Sequence, residues 1–363
     1  MSGHASSRKK SSSETYPFGV GHRVHLAGGV TVGNLTADPS IYENAIVVDG
    51  LNMCNWSREI FEGWRAGGFT AVSCTCGLWE NYPDSRENIL KWGRLFEKNR
   101  DLICQVFCVA DILEAKRCGK TGVILSWQNT AGIEDRIDRL REFSMLGVKI
   151  MQIAYNTQNY SGCGYVEDRD SGLTGFGREV VDEMAALGIA CDLSHVGVQT
   201  IEDVLGYAKK PPCFSHVLPA GLKALRRNMP DALIRAVGLR GGMVGISDFG
   251  PFMHKGNEST LVDYLAAIEY AIELAGEGHV GIGSDSTQGH QRPSAFLEWC
   301  NRDKGYGRML TRFGEGDATR PLRVLSNRAA LGGAMASAGW SEERTRKVLG
   351  ANWVDYFGRV WSP

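Results

Sequence analysis

Residues 189–217 decide the fold, and they read IACDLSHVGVQTIEDVLGYAKKPPCFSHV. Two short apolar runs, each ending in Ser-His, flank a segment with helical spacing of its apolar residues, Val198–Tyr207. Strands that are apolar throughout, without alternation, are typical of a parallel sheet that is covered on both faces. The stretch therefore predicts a strand–helix–strand unit in which His195 and His216 stand at the carboxyl ends of neighbouring parallel strands.

Similar apolar runs recur on both sides of this stretch. We expect strands at Ala45–Asp49, Phe69–Cys74, Ile103–Val109, Gly122–Trp127, Lys149–Tyr155, Ile189–Leu193, Pro212–Ser215, Met243–Ser247 and Val280–Gly283. Helical patterns lie at Ile133–Leu146, Gly175–Leu187, Val198–Tyr207, Asp231–Val237, Leu261–Leu274 and Ser341–Leu349. The repetition predicts an α/β fold, a (β/α)8 TIM barrel rather than an open sheet. Because nine runs are one too many for eight strands, we expect the run at 103–109 to be an edge or inserted strand.

The pattern implies a single barrel domain over residues 41–363, preceded by a flexible N-terminal tail and lead-in over residues 1–40. Residues 289–321 are polar and irregular, and they are expected to form a loop or lid excursion. Aromatic residues near the end of the chain allow two interpretations, a docking or dimer surface and a packed terminal helix. They are Trp353, Tyr356, Phe357 and Trp361.

The composition excludes several classes of protein. A hydrophobic fraction of 43% over 363 residues is too high for a chain that is disordered as a whole. Lys and Arg number 40 against 41 Asp and Glu, without a long basic run, so we expect no nucleic-acid partner. No stretch approaches the ~18 to 20 apolar residues of a membrane span. The first 19 residues lack the apolar segment of a secretory signal, and we expect a cytoplasmic protein.

The ten cysteines contain no CxxC pair, which argues against a zinc ribbon or a thioredoxin-like motif. Without export they should be reduced thiols. Cys104, Cys108 and Cys191 lie inside apolar runs, where a buried and inert thiol is the favoured interpretation.

In a barrel of this type, the chemistry lies at the carboxyl ends of the strands. Two imidazoles on adjacent strands lie within reach of one metal ion, which is a common construction of metal sites in barrels. Each histidine taken alone is also compatible with a packing role. His195 and His216 are therefore candidate metal ligands and candidate acid–base groups.

Two further side chains follow strand ends. Asp285 ends the run VGIGSD and is placed to act as a general base on a water molecule or as a metal ligand, with a loop-capping Asx turn as the alternative. The sequence Arg226-Arg227-Asn228 follows the strand of His216, and one of these arginines can hold a substrate carboxylate through two parallel hydrogen bonds. A solvated surface is the alternative for this pair of charges.

Seven short motifs together carry a resemblance to a known family. They are VVDG (47–50), DLSHVGV (192–198), PCFSHV (212–217), RRNMPD (226–231), GGMVGI (241–246), GIGSD (281–285) and GANW (350–353). Over residues 45–361 the chain resembles the renal or membrane dipeptidases, zinc enzymes that form a branch of the amidohydrolase-like barrels. The resemblance implies a barrel hydrolase or metalloprotease that acts on a small carboxylate-bearing, dipeptide-like substrate, and it implies a homodimer.

The resemblance also assigns roles to residues. The family's two imidazole ligands fall on His195 and His216, its arginine for the substrate carboxylate falls on Arg227, and its catalytic aspartate falls on Asp285. Asn228 follows this arginine and is expected to help hold the anionic group of the substrate.

Other positions depart from the family pattern. The family begins its first strand with Asp-Gly-His-Asn-Asp, whose histidine and second aspartate bind zinc, whereas this chain has Leu51 and Met53 at those two places. The family's bridging glutamate aligns with Gln128, and a histidine that contacts the substrate becomes Tyr155. Leu51, Met53 and Gln128 are thus degenerate ligand positions.

These departures remove two carboxylates and one imidazole from a centre that normally holds two zinc ions. Unpaired charge in a closed site costs several kcal/mol or more, so a binuclear centre is not expected. One zinc at most remains conceivable on His195, His216 and Asp285, with the Gln128 carbonyl as a weak fourth ligand. Three functions stay open: a hydrolase with at most one divalent metal, a metal-free lyase or isomerase that uses histidine, tyrosine and aspartate, and a binding pseudoenzyme without turnover.

Overall fold

The computed structural model describes residues 40–312, 318–319 and 322–362. The strands are β1 (Val48–Asn52), β2 (Ala71–Thr75), β3 (Ile103–Gln105), β4 (Thr121–Trp127), β5 (Val148–Gln152), β6 (Ala190–Asp192), β7 (Cys213–Val217), β8 (Met243–Ile246) and β9 (Val280–Ile282). The predicted tail falls outside the described residues, apart from residue 40.

The helices surround these strands. They are α1 (Ser40–Asn44), α2 (Arg58–Ala66), α3 (Tyr82–Lys98), α4 (Val109–Arg117), α5 (Asp138–Met145), α6 (Gly175–Leu187), α7 (Val198–Tyr207), α8 (Asp231–Leu239), α9 (Leu261–Ala275), α10 (Pro293–Cys300), α11 (Ala330–Ser337), α12 (Glu342–Arg346) and α13 (Asn352–Val360). Among the described residues, no helix combines the length and the apolar character needed to span a membrane.

The strands form one parallel sheet in the order β2-β1-β9-β8-β7-β6-β5-β4-β3. A further parallel pairing of β2 with β4, from Ala71–Gly122 to Thr75–Ser126, closes the sheet into an eight-stranded barrel. The predicted (β/α)8 TIM barrel is therefore confirmed. Closure brings the carboxyl ends of all eight strands to one rim, where their following loops meet.

The ninth strand, β3, is the inserted one, as expected. It pairs with residues 121–123 of β4, while β5 pairs with residues 125–127 farther along. The predicted run at 103–109 is too long, because the strand ends at Gln105 and α4 begins at Val109. Cys108 is the N-cap of this helix and is exposed, so the prediction that it is a buried thiol is wrong.

The amino-terminal end of the barrel is closed by α13. Its Trp353 is fully buried and donates its indole N–H to the Ile282 carbonyl over 2.9 Å. Gly50, Gly245 and Gly281 leave the space for this ring, because a methyl group on any of them would lie within 3.1 Å of the indole. The aromatic residues near the end of the chain thus form a packed terminal helix, and not an exposed docking surface.

Residues 289–321 are not irregular throughout. The helix α10 lies within them, and its Phe296, Trp299 and Cys300 pack on Leu51, Met53, Leu78 and Tyr155 beside the rim of the barrel. Residues 313–317 and 320–321 lie outside the described part of the chain. A role of this segment as a lid stays a prediction.

Candidate active site

The two predicted imidazoles meet at the rim. His216 lies on β7, and His195 follows β6 by three residues. Their Nε2 atoms are 2.8 Å apart, and both side chains are buried. The Nδ1 atom of His195 contacts Asn156 Oδ1 at 2.7 Å, and the Nδ1 atom of His216 contacts Ser215 Oγ at 2.7 Å. Both rings are therefore held from behind, with the same nitrogen of each facing inward.

The hydrogen bonds at the two Nδ1 atoms determine whether a proton lies between the two Nε2 atoms. An amide oxygen can only accept, so His195 Nδ1 carries a proton. Where Ser215 donates to an ionised Asp192, His216 Nδ1 is also protonated, and two Nε2 lone pairs face each other. Where Asp192 is protonated, each proton moves one bond along and His216 Nε2 carries one. The first arrangement needs an additional proton or a cation between the two Nε2 atoms, whereas in the second the N–H of His216 lies between them.

Neutral rings are favoured by the surroundings. Burial, with a further effect of the nearby Arg227 guanidinium, holds the pKa of His195 and of His216 well below the ordinary value. Burial raises the pKa of Asp192 against the effect of its hydrogen bonds from Ser215 and Ser194. These effects favour neutral imidazoles, and burial works against the ionised form of Asp192.

Asp285 is half-buried at the same rim, near Arg227, and the space between these two residues and the imidazole pair is called the cleft. Within the described part of the chain, neither of its carboxylate oxygens accepts a hydrogen bond. Burial, only partly offset by Arg227, raises its pKa to about 7. A carboxyl group with this pKa can take and return protons near neutral pH, as a general base must.

Two other aspartates at the rim are already engaged. Asp49 accepts hydrogen bonds from the Ser284 hydroxyl at 2.6 Å and from the Asn52 amide at 2.9 Å. Asp248 forms a buried ion pair with Arg328. Among these three aspartates, Asp285 is therefore the one whose carboxylate has neither a hydrogen-bond partner nor an ion-pair partner in the described part of the chain.

Arg227 supplies the positive charge of the site. It is 6% exposed, and its Nη2 donates to the His216 carbonyl at 3.1 Å, while its buried Nε has no partner among the described residues. Its guanidinium lies 5.5 Å from the centre of the Phe252 ring. A buried guanidinium with an unused donor suits a substrate carboxylate. Asn228 donates to the Lys223 and Phe252 carbonyls and so holds the Arg227 loop, and its direct contact with substrate stays a prediction.

An apolar wall faces these groups. Leu51 and Met53 are buried with Tyr155, whose ring centre lies 4.3 Å from that of His195. Gln128 lies at the end of β4, where its amide nitrogen donates to Thr75 Oγ1 at 2.8 Å and its buried Oε1 has no partner in the described chain. All three degenerate ligand positions therefore lie at the rim.

Three residues of the site adopt left-handed backbone conformations. Asn156 has φ 60°, His195 has φ 61° and Asp285 has φ 59°. Asn, Asp and His tolerate this region better than other side chains, but it still costs free energy, and such strain concentrates at functional sites. The turns aim each side chain inward directly after its strand.

Several known proteins resemble this chain in sequence and in fold. The family model of the membrane dipeptidases, peptidase family M19, matches residues 56–301. The chain belongs to the membrane dipeptidase family. An uncharacterised dipeptidase of Schizosaccharomyces pombe is 32% identical over 211 residues, which are 56% of this chain and 50% of that protein. The chain thus spans about half the length of this curated relative.

Solved structures extend the likeness to the whole barrel. An amidohydrolase from Pseudomonas aeruginosa is 44% identical, with a TM-score of 0.88 over 90% of this chain and 100% of that one. A metallopeptidase from Rhodobacter sphaeroides, liganded with a phosphinate mimic of L-Ala-D-Ala, has a TM-score of 0.73 at 20% identity, over 88% of this chain and 100% of that one. At that identity the second likeness shows the fold alone.

The metal centre implied for a membrane dipeptidase can be tested against these residues. No three His, Cys, Asp or Glu side chains of the described chain are grouped as ligands of one ion. Catalytic zinc usually has three protein ligands. Leu51 and Met53 offer no oxygen or nitrogen, and the Gln128 amide is neutral. The site therefore does not fit the two-zinc centre of a membrane dipeptidase, and its two imidazoles fit a single ion only incompletely.

Sequence reasoning missed several residues of this site. Asn156 and Ser215 orient the imidazoles, and the Asn156 amide in turn donates to the Cys300 carbonyl at 3.4 Å. Asn156 carries a weak local signal, since asparagine after a strand is suited to a left-handed turn. Cys300 carries no sequence signal for this role, because it reaches the site through the packing of α10.

We expect Asp285→Asn to change how stability depends on pH. The folded protein holds a proton on Asp285 up to about pH 7, whereas the unfolded chain releases it near pH 4, so this carboxyl group costs stability as pH rises through that window. The variant should lose less free energy of unfolding than the wild type between about pH 5 and about pH 8. Urea denaturation at both pH values measures this difference. An equal loss in both proteins, with exposed Asp135→Asn as the matched control, would show that the pKa of Asp285 is not raised in the folded protein.

Proposed function

We propose that this chain hydrolyses the amide or related bond of a small carboxylate-bearing, dipeptide-like substrate, with at most one divalent metal ion. The observation that carries the proposal is the convergence of His195, His216, Arg227 and Asp285 on one cleft at the rim of the barrel. Membership of the membrane dipeptidase family supports the reaction class.

The roles of the side chains follow from their chemistry. Arg227 binds the substrate carboxylate through its unused donors, which fixes the scissile bond relative to the histidines. Asp285 takes the proton from an attacking water molecule and returns it to the leaving amine. The imidazole pair of His195 and His216 holds one proton at its Nε2 atoms. The pair donates this proton to the oxygen on which negative charge develops. Tyr155 and Leu51 form an apolar wall that excludes bulk water.

A metal ion on the two imidazoles, where bound, would supply a Lewis acid that polarises the carbonyl group. Because its third protein ligand is missing, no step above depends on it. The substrate identity, a homodimer and a cytoplasmic location stay predictions, as does a role without turnover.

The second candidate is metal-free acid–base chemistry on a small carboxylate, as in a lyase or isomerase. It is favoured by one observation: the two Nε2 atoms are 2.8 Å apart, the length of an N–H···N hydrogen bond, so a single proton between them would satisfy both rings. Tyr155 and Asp285 would complete the acid–base set.

Metal content tests the main proposal directly. Purified protein, dialysed against zinc and analysed by elemental mass spectrometry, should contain at most one zinc per chain, and His195→Ala should contain none. Two equivalents of zinc per chain would contradict the mononuclear or metal-free proposal. Exposed His254→Ala serves as the matched control and should keep the wild-type metal content.

A further inference from the structure

A cavity of about 500 Å³ lies beside the active-site cleft, between α3, α10 and the loops after β1 and β2. Its apolar walls come from Met53, Leu78, Trp92, Phe296 and Trp299. The volume lies within the range of about 300 to 1,000 Å³ that small-molecule sites have. The cavity therefore has the size and the lining of a ligand site.

This cavity is distinct from the cleft. None of His195, His216, Arg227 and Asp285 is among its lining residues. Met53 and Leu78 separate the two spaces, because they line the cavity and also pack against Leu51 and Tyr155. The cleft residues therefore do not explain what the cavity binds.

One wall of the cavity is held by contacts within the protein. The His290 ring stacks on Phe296 with ring centres 3.6 Å apart and an angle of 12° between the planes. The Nε2 atom of His290 contacts the Met53 carbonyl at 2.8 Å. These contacts tie α10 to the loop after β1, so the aromatic wall keeps its place without a ligand.

The open side of the cavity is positively charged. Lys91, Arg94 and Lys98 of α3 lie on its rim, and the helical spacing of Lys91, Leu95 and Lys98 places them on one face. Neither lysine forms an ion pair within the described part of the chain, whereas Arg94 pairs with Glu87.

The one carboxylate among the lining residues, Glu80, leaves the lining with a net positive charge, since it supplies one negative charge against the two lysines. Both oxygens of Glu80 are occupied, by the backbone N–H groups of Leu78 and Trp79 and by the Asn88 amide. The cavity thus combines an apolar interior with two unpaired ammonium groups at its opening.

We propose that this cavity binds a small organic anion, a molecule with an apolar or aromatic body and a carboxylate at one end. The body packs between the aromatic side chains and Met53, and the carboxylate lies against Lys91 and Lys98. An apolar interior alone would take a neutral molecule equally well, and the lysines are what select an anion. Because they are exposed, the attraction weakens as ionic strength rises.

Binding of decanoate to the full chain tests the proposal without any assay of activity. Isothermal titration calorimetry should give one site per chain, and 1-decanol, the uncharged analogue, should bind at least about threefold more weakly. Lys91→Gln/Lys98→Gln should weaken decanoate binding by at least about threefold and should leave decanol binding unchanged. Lys120→Gln, at the opposite end of the barrel, is the matched control and should bind decanoate like the wild type.

A second variant locates the site. Leu95→Trp places a larger side chain at the edge of the cavity and should weaken decanoate and decanol binding at least about tenfold, with an unchanged circular dichroism spectrum. Equal affinities for decanoate and decanol, full decanoate binding by the double lysine variant, or no effect of Leu95→Trp would each overturn the proposal. A failure of the hydrolase proposal would change none of these results.

Discussion

His216→Ala should lower kcat/KM for hydrolysis by at least about 100-fold, because a positioned acid or base contributes about 10²- to 10⁴-fold. The variant removes one of two Nε2 atoms that lie 2.8 Å apart and leaves the other facing an empty space. It also leaves Ser215 Oγ without its partner at Nδ1. The loss should appear mainly in kcat, since Arg227, which is intact, holds the substrate carboxylate.

The measurement is turnover of a panel of dipeptides and N-acylated amino acids, followed by release of the free amine. His279→Ala, which changes a histidine directly before β9 at the opposite end of the barrel, is the matched control and should keep wild-type turnover. Wild-type kinetics in His216→Ala would contradict a catalytic role for the imidazole pair. Absence of turnover in the wild type on the whole panel would favour a binding pseudoenzyme.

Trp353→Ala should lower the free energy of unfolding by about 3–5 kcal/mol, the usual cost of truncating a buried aromatic side chain. The indole is fully buried where α13 closes the barrel, and Gly50, Gly245 and Gly281 are shaped around it. Because those glycines carry no side chain that can move into the gap, the cavity should persist. The lost hydrogen bond to the Ile282 carbonyl adds to the cost.

Urea denaturation followed by circular dichroism measures this effect. Leu239→Ala is the control, since this side chain is 90% exposed and should change stability by less than about 0.5 kcal/mol. Trp353→Phe, which keeps an aromatic ring in the same space, should recover a large part of the loss. Equal stability of Trp353→Ala and Leu239→Ala would mean that the terminal helix does not help to hold the barrel together.

Much of the fold could be predicted because its signals are local. Each strand is a short apolar run, and each helix shows its own periodicity, so nine runs with helical segments between them indicate a barrel. The inserted strand was also found this way, but its end was not. The run at 103–109 stays apolar past Gln105, where the helix cap formed by Cys108 and Asp111 overrides the strand preference.

The candidate site was only partly predictable. Histidines that end adjacent parallel strands must meet at the rim, and their Nε2 atoms do so. The groups that orient them are Asn156, Ser215 and Asp192, and nothing in the spacing of the sequence identifies which nitrogen of each ring they bind. A hydrogen bond depends on side-chain rotamers, which the apolar pattern does not encode.

The sequence by itself determined the barrel, the membrane dipeptidase family and the loss of ligands at Leu51 and Met53, because these are properties of residue type and order. Only the tertiary structure decided which carboxylates are available, leaving Asp285 free where Asp49 and Asp248 are already bound. It also placed α10 against the first strand, although the two are more than 200 residues apart in sequence. This packing forms the cavity beside the cleft. Contacts of this kind arise from packing, in which distant segments fill one another's spaces, and no local periodicity records them.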